Sequence, residues 1–228
     1  MVNDEGNRHD MPPLTETIAS QPVIAVLRAS TSQWLLPAVE LLREHGLNNV
    51  EITMTTPGAI DVIREISAVY PDVLVGAGTV RSVRQAHEAI AAGAKYLVSQ
   101  VTDSEVLATA RDAGVPYVPG CLTPNEIVAA WSLGVSAVKI SPIGPVGGID
   151  YLRELRGPLP EVPLMPTGGV RPEEVVDYLA AGAVAVGVSR HLFGAALETG
   201  DFDPLRASLR DLVARLHAAG HLRRTPSR

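Results

Sequence analysis

Several residue types are scarce in this 228-residue chain, and each shortage excludes a class of protein. The single cysteine, Cys121, excludes an internal disulfide and fits a reducing compartment. Aromatic residues make up only 4% of the chain while 46% is hydrophobic, so the core must consist mainly of aliphatic side chains. An aliphatic core is typical of strands that helices cover on both faces.

Positive charge and long apolar runs are scarce as well. The formal net charge of −6 argues against nucleic-acid binding and provides no general attraction for an anionic substrate. No apolar run is long enough to span a bilayer, and the polar opening 1–10 has no secretory signal. The histidines lack the spacing of metal ligands, so we expect no metal and no other cofactor. We therefore expect a cytoplasmic protein without a membrane or nucleic-acid partner.

Short apolar runs alternate with helical patterns along most of the chain. Strands that alternate with helices imply parallel pairing, and eight such units predict an α/β fold, a single-domain (β/α)8 TIM barrel with a short N-terminal helix. The alternative is a doubly wound open sheet. The first βα turn, 28–31, lacks the glycine fingerprint of dinucleotide-binding folds, which weakens that alternative.

The predicted organisation has three parts. Residues 1–21 form a tail with a leading helix over about 14–20, residues 22–220 form the barrel, and 221–228 form a disordered basic tail. The predicted strands are 22–27, 49–54, 73–77, 96–99, 116–118, 135–140, 163–166 and 183–188. The predicted helices between and after them are 32–45, 57–69, 83–92, 103–113, 123–133, 149–155, 172–181 and 203–219.

The sixth predicted strand carries a lysine in its middle. Side chains alternate along a strand, so Ala137, Lys139 and Ser141 should face one way and Val138 and Ile140 the other. Lysine is rarely buried without a partner or a task. Apolar surroundings disfavour the charged form of an amine, and the neutral form attacks a carbonyl to make a Schiff base. A purely structural lysine is the alternative.

The second predicted strand supplies an acidic partner, Glu51. Alternation places Glu51, Thr53 and Thr55 on one face, which should look inward because the outer face must meet aliphatic helices. With an imine on Lys139 as the electron sink, Glu51 would shuttle the protons of retro-aldol cleavage of a 2-keto acid, through a water molecule. The alternative is a Glu51–Lys139 ion pair that only supports the fold.

Polar and glycine residues end nearly every predicted strand, where the active sites of barrel enzymes lie. Arg28 ends the first strand. Thr79 and Thr167 are placed to hydrogen-bond a reaction intermediate, although both can equally be turn residues. Gly168 and Gly169 precede a helix start and are typical of a phosphate cradle, for which Ser189 and Arg190 would form the other wall.

Taken in order, these motifs resemble the class I 2-keto-3-deoxy-6-phosphogluconate (KDPG) aldolases. That family includes the 4-hydroxy-2-oxoglutarate (KHG) aldolases and the 2-keto-3-deoxy-6-phosphogalactonate aldolases. The resemblance covers about 22–194 and rests on six motifs. They are 24–28 (IAVLR), 50–53 (VEIT), 76–80 (GAGTV), 119–120 (PG), 138–142 (VKISP) and 166–170 (PTGGV).

The resemblance implies a role for individual residues and a homotrimeric assembly. By it, Lys139 is the Schiff-base lysine and Glu51 is the proton shuttle. The residues that it places in the keto-acid site are Thr79 and Thr167, with Ser141 on the same strand face as the lysine. It gives the phosphate to the backbone of Gly168 and Gly169.

The chain departs from the family pattern at three positions. Thr55 stands where many members have an arginine that grips the substrate carboxylate, and Arg28 can reach the same anion from the first strand. Gln100 replaces a common proline and brings an amide near the reacting carbons. The position of the family's phosphate-binding serine falls on Arg190, with Ser189 just before it.

The predicted reaction is reversible cleavage of KDPG to pyruvate and glyceraldehyde 3-phosphate, with 4-hydroxy-2-oxoglutarate, which yields pyruvate and glyoxylate, as a further substrate. A preference for the galactonate-derived substrate is one alternative. A phosphosugar epimerase or isomerase, and a non-catalytic keto-acid-binding relative, are the others on the same barrel.

Overall fold

The computed structural model describes residues 11–18 and 21–222. In this part of the chain the strands are β1 (Val23–Leu27), β2 (Asn49–Thr53), β3 (Leu74–Gly78), β4 (Leu97–Val98), β5 (Tyr117–Val118), β6 (Gly120–Cys121), β7 (Val138–Ile140), β8 (Leu164–Pro166) and β9 (Val186–Val188). The helices are α1 (Leu14–Ile18), α2 (Leu35–Glu44), α3 (Ala59–Val69), α4 (Val83–Ala91), α5 (Ser104–Asp112), α6 (Pro124–Ser132), α7 (Gly148–Arg156), α8 (Val175–Ala180), α9 (Arg190–Phe193), α10 (Ala196–Thr199) and α11 (Asp203–Ala218). Two 3-10 turns, Gly144–Val146 and Pro172–Glu174, precede α7 and α8.

All the strands pair in parallel and together close a barrel. One sheet has the order β5-β4-β3-β2-β1-β9, and the other has the order β6-β7-β8. β5 and β6 are two halves of one strand that breaks at Pro119, a residue without the N–H that a continuous ladder needs. A parallel bridge between Thr167 and Gly187 joins the β8 side to β9. The (β/α)8 barrel is thus confirmed, and the open-sheet alternative is wrong.

The first and last strands are neighbours in this barrel. Ala25 pairs with Val50 of β2, while Val23 pairs with Val186 of β9. The β1–β9 contact is therefore a seam that joins the two ends of the barrel.

Two hydrophobic clusters pack against the strands, one between the strands and the helices and one inside the barrel. Side chains such as Val50, Ile52, Val138 and Ile140 belong to the large cluster that packs against the helices. A smaller cluster fills the barrel interior with the side chains of Leu14, Ile18, Ile24, Val26, Tyr96, Val98, Val118, Ala137, Met165 and Ala185. Since Leu14 and Ile18 belong to α1, the leading helix packs into the barrel from the end where the strands begin.

The predicted strands and the longer predicted helices are present, with small shifts at their ends. The first turn predicted at 172 is a 3-10 turn rather than α-helix, and the short helices α9 and α10 were not predicted. The division into three parts stays a prediction, because most of the two predicted tails lies outside the described residues. No helix in 11–18 or 21–222 has the length and apolar character needed to cross a membrane.

Candidate active site

Lys139 lies in the interior of the barrel. It pairs with Gly120 on β6 and with Met165 on β8, and Met165 belongs to the interior cluster. Its chain neighbours Val138 and Ile140 pack in the outer cluster, as the alternation predicts. Only 3% of the lysine is exposed, so its side chain is almost completely shielded from solvent.

Glu51 lies inside the same barrel and is 1% exposed. It pairs with Val26 and Gly76, while the flanking Val50 and Ile52 face outward. Burial raises the pKa of the Glu51 carboxyl group, and the positive charges of Lys139 and Arg28 oppose that rise.

The two groups are coupled electrostatically but do not touch. Among the described residues, neither carboxylate oxygen of Glu51 has a hydrogen-bond partner, and no ion pair joins it to Lys139. The structure therefore lacks the direct ion pair that a purely structural role would require. A buried carboxylate without a partner is costly, which favours a functional reason for its presence.

Gly78 provides the space that the Glu51 side chain occupies. It pairs with Thr53 at the end of β3, and a Cβ atom at this position would overlap the Glu51 carboxyl group. Only glycine can stand here without displacing the glutamate.

We expect Gly78→Ala to lower the free energy of unfolding by about 1–3 kcal/mol, because the site would be overpacked. The displaced carboxyl group should also reduce kcat. Gly157→Ala is the matched control, since its Cβ would meet only the Glu154 carbonyl oxygen, at 3.7 Å. Denaturant unfolding and steady-state kinetics measure both effects. Unchanged stability and unchanged kcat in Gly78→Ala would contradict this account.

Arg28 reaches across the mouth of the barrel toward β2 and β3. Its guanidinium donates to the Thr55 hydroxyl at 3.1 Å and to the Thr79 hydroxyl at 2.9 Å. Thr55 in turn donates to Thr53 at 3.3 Å. Arg28, which follows β1, thus lies directly beside Thr55.

Thr79 has an unusual backbone conformation. Its φ angle is +57°, in the left-handed region that β-branched residues rarely occupy. Such a conformation costs on the order of 1–3 kcal/mol, and conformations of this kind cluster at functional sites. The neighbouring bonds from Val80 N–H to the Val98 carbonyl and from Arg28 to the Thr79 hydroxyl hold it in place.

Three more of the predicted substrate residues line the mouth on the β4–β8 side. The Gln100 amide donates to the Ser141 hydroxyl at 3.4 Å. Thr167 is 5% exposed, and its hydroxyl has no hydrogen-bond partner among the described residues. A cavity of about 490 Å³ opens beside Gln100 and Ser141, with Cys121 in its wall. Burial raises the pKa of the Cys121 thiol, which keeps the reactive thiolate scarce.

The predicted phosphate residues lie together at the ends of β8 and β9. Gly168 and Gly169 have φ angles of +83° and +91°, which favour glycine. The Ser189 hydroxyl donates to the Val26 carbonyl at 2.8 Å, and Arg190 begins α9 as an exposed residue. The Arg190 guanidinium group makes no hydrogen bond or ion pair with the described residues, so its charge is free to meet an anion.

Residues that the sequence did not single out adjoin this phosphate region. A second cavity of about 490 Å³ has Gly169, Arg171 and His191 in its wall. His191 shows no metal-ligand spacing in the sequence, and only the fold brings it next to Gly169. In the described ranges no group of three or more His, Cys, Asp and Glu side chains could hold a metal ion.

A closed (β/α)8 barrel with a lysine and a glutamate buried in its interior is typical of a barrel enzyme that works through a Schiff base. The chain also matches the family model described as KDPG and KHG aldolase, over residues 14–207. It therefore belongs to the KDPG and KHG aldolase family.

Individual relatives agree with this assignment. The chain is 32% identical over 200 residues to a 2-dehydro-3-deoxy-phosphogluconate aldolase of Dickeya dadantii, covering 87% of this chain and 94% of the relative. It is 34% identical over 193 residues to an aldolase of the same name from Treponema pallidum, covering 84% and 92%. A solved structure of KDPG aldolase from Legionella pneumophila, with pyruvate captured as a covalent carbinolamine intermediate, superposes with a TM-score of 0.78. Its sequence identity is 28%, and 86% of this chain and 96% of that chain are covered.

Proposed function

We propose that this protein is a class I aldolase that reversibly cleaves KDPG to pyruvate and glyceraldehyde 3-phosphate, and that it also accepts 4-hydroxy-2-oxoglutarate. One observation carries the proposal: Lys139 and Glu51 are both buried inside the barrel and electrostatically coupled, with no hydrogen bond or ion pair between them. Relatives that share the family are named for this substrate, and one holds pyruvate as a covalent carbinolamine.

The reaction begins when the neutral amine of Lys139 attacks C2 of the keto acid and forms a carbinolamine. Protonated Glu51 donates its proton to the carbinolamine hydroxyl group, the C–O bond breaks, and water leaves to give an iminium ion and the Glu51 carboxylate. The Glu51 carboxylate removes the proton of the C4 hydroxyl, the C3–C4 bond breaks, and its electron pair moves into the iminium. The aldehyde leaves and an enamine remains. Glu51 returns its proton to C3 of the enamine, which gives an iminium ion. Water then adds to C2 and gives a proton to the Glu51 carboxylate, and the carbinolamine breaks down to release pyruvate and the neutral amine.

Polar groups around the mouth bind the rest of the keto acid. Arg28 holds the substrate carboxylate in place of the arginine that many relatives have at position 55, because its guanidinium already lies beside Thr55. Thr79 and Thr167 hydrogen-bond the carboxylate and hydroxyl groups of the intermediate. Gln100 and Ser141 lie near the aldehyde half and influence which substrate is preferred.

The phosphate binds at the ends of β8 and β9. The backbone of Gly168 and Gly169 approaches it closely, and Arg190 adds a charge-assisted contact. The Ser189 hydroxyl donates to the phosphate in exchange for its bond to the Val26 carbonyl. The proposed reaction needs no cofactor, because the imine itself is the electron sink. A homotrimeric assembly and a cytoplasmic location complete the proposal and follow from the family resemblance and from the composition.

A preference for the galactonate-derived substrate is the second candidate. It is favoured by the polar pair Thr55 and Gln100, which replaces the arginine and proline common in the family. The two substrates differ in configuration at C4, the carbon whose hydroxyl Glu51 must deprotonate.

Pyruvate release from four keto acids, measured side by side, tests these proposals. The substrates are the 6-phosphorylated gluconate-derived and galactonate-derived acids, unphosphorylated 2-keto-3-deoxygluconate and 4-hydroxy-2-oxoglutarate. We expect the highest kcat/KM for the gluconate-derived phosphate and a loss of about 10²-fold or more without the phosphate. A higher value for the galactonate epimer would select the second candidate.

Pyruvate release together with borohydride trapping of a pyruvate adduct separates the remaining alternatives. A pyruvate adduct trapped by borohydride without any turnover would indicate a non-catalytic binding protein. Neither adduct nor pyruvate release would favour an epimerase or isomerase, which needs acid–base residues but no imine.

A further inference from the structure

A carboxylate on the short helix α10 holds the loop that follows Arg28. The backbone N–H of Ser30 donates to Glu198 Oε1 at 2.9 Å, and the Ser30 hydroxyl donates to Glu198 Oε2. These two bonds keep the pKa of the Glu198 carboxyl group below its usual range. We call this pair the Glu198–Ser30 clasp. It spans the seam between the first and last strands.

The same loop is also held from its other side. The N–H of Ala29 donates to the Thr56 hydroxyl at 3.2 Å. Two successive backbone N–H groups after Arg28 are therefore held by side chains from different parts of the chain. Thr56, which follows β2, accepts from the first, and Glu198 on α10 accepts from the second. This fixes the backbone from which the Arg28 side chain extends toward Thr55 and Thr79.

Helix α10 is itself anchored to the first βα unit. Trp34 meets Phe202 edge to face, with ring centroids 6.2 Å apart. A Cβ atom at Gly200, whose φ is +76°, would lie 2.7 Å from the Trp34 ring. The chain that carries Glu198 therefore has a defined position relative to Ser30. It also continues from α9, which begins at the proposed phosphate residue Arg190.

We infer that Glu198 is a positioning residue for recognition of the substrate carboxylate, acting through Ser30 and Arg28. The inference rests on the proposed role of Arg28. Without the clasp, residues 29–31 would sample more conformations, and Arg28 would lose part of the preorganisation that makes its binding effective. Lys139 and Glu51 stand on other strands, so the bond-breaking step itself keeps its geometry.

Glu198→Ala tests the inference through the separate values of KM and kcat. We expect KM for the phosphorylated keto acid to rise about five- to tenfold, while kcat stays within about twofold, because the bonds lost act on binding only. The pyruvate concentration that gives half-maximal borohydride trapping should rise by the same factor. Ser30→Ala should show a smaller rise, since the backbone N–H still reaches Glu198. Glu198→Gln keeps one acceptor oxygen and should restore part of the affinity.

Asp103→Ala is the matched control. Asp103 accepts from the N–H groups of Glu105 and Val106 at the start of α5, so its loss also removes two bonds between a carboxylate and the chain. It should lower the melting temperature without changing KM. This separates a local loss of stability from a loss of Arg28 positioning.

Arg28→Ala separates failure of this inference from failure of the proposed function. If Arg28→Ala raises KM and adding Glu198→Ala raises it no further, the two residues act on the same interaction. If Arg28→Ala raises KM but Glu198→Ala, Glu198→Gln and Ser30→Ala all leave it unchanged, the clasp has no positioning role. If Arg28→Ala itself leaves KM unchanged, the proposed carboxylate site is wrong and the clasp inference falls with it.

Discussion

Lys139→Met should abolish covalent capture of pyruvate and lower kcat for keto-acid cleavage by about 10⁴-fold or more, because the substitution removes the nucleophile. Methionine has a similar length and suits the apolar interior where Lys139 is 3% exposed, so the variant should still fold. Binding of the phosphate end should persist, because the residues proposed for it lie after β8 and β9, away from the strand that carries Lys139.

The chain contains one other lysine, and it supplies the control. Lys95 is exposed and lies just before β4, at the opposite end of the barrel from the proposed site. Reduction with borohydride in the presence of pyruvate, followed by peptide mass mapping, should modify Lys139 and leave Lys95 unchanged. Lys95→Met should retain full turnover. A pyruvate adduct in Lys139→Met would overturn the imine assignment.

Glu51→Gln should form the pyruvate adduct slowly and lose about 10²- to 10⁴-fold in kcat, the usual contribution of a general acid–base group. The amide has nearly the same shape as the carboxylate but cannot accept and return the C4 proton. Single-turnover trapping and steady-state cleavage, measured on one preparation, separate adduct formation from turnover.

The pH dependence of Glu51→Gln follows from the raised pKa of the wild-type carboxyl group. Cleavage needs the ionised form, so wild-type kcat should fall as pH drops through a pKa that burial has moved above the ordinary glutamate range. Glutamine does not titrate, so this acid limb should disappear from the residual activity of the variant. A preserved limb with the same midpoint would assign it to another group.

Stability should change in the opposite direction to activity. With a raised folded-state pKa, the native state binds more protons than the unfolded state between the two pKa values. Its free energy of unfolding therefore decreases as pH rises through that window, and Glu51→Gln removes the decrease. At neutral pH the variant should be at least as stable as the wild type, whereas a large loss of stability together with lost pyruvate binding would indicate a structural glutamate.

Much of the fold was predictable because it depends on local patterns. Runs of β-branched residues that alternate with amphipathic segments predict parallel strands covered by helices. The number of these strand–helix units predicts that the sheet closes into a barrel. The inward direction of Glu51 and Lys139 follows from strand alternation, since each is flanked by aliphatic residues that must meet the helices. Their convergence in one interior then follows from the topology.

Features that depend on contacts distant in sequence were not predictable. Helices α9 and α10 have four residues each, too few to show a helical period. The bonds of Arg28 to Thr55 and Thr79, and those of Glu198 to Ser30, join side chains that only the closed barrel brings together. The left-handed conformation of Thr79 is equally invisible in the sequence, because the residue type argues against it.

The seam between β1 and β9 also determines when the molecule can become complete during synthesis. The ribosome makes Val23–Leu27 long before its partner Val186–Val188 emerges. Until then the nascent sheet keeps an unpaired edge, which is open to association with other chains. Premature termination before β9 should therefore yield aggregating fragments rather than a smaller stable protein.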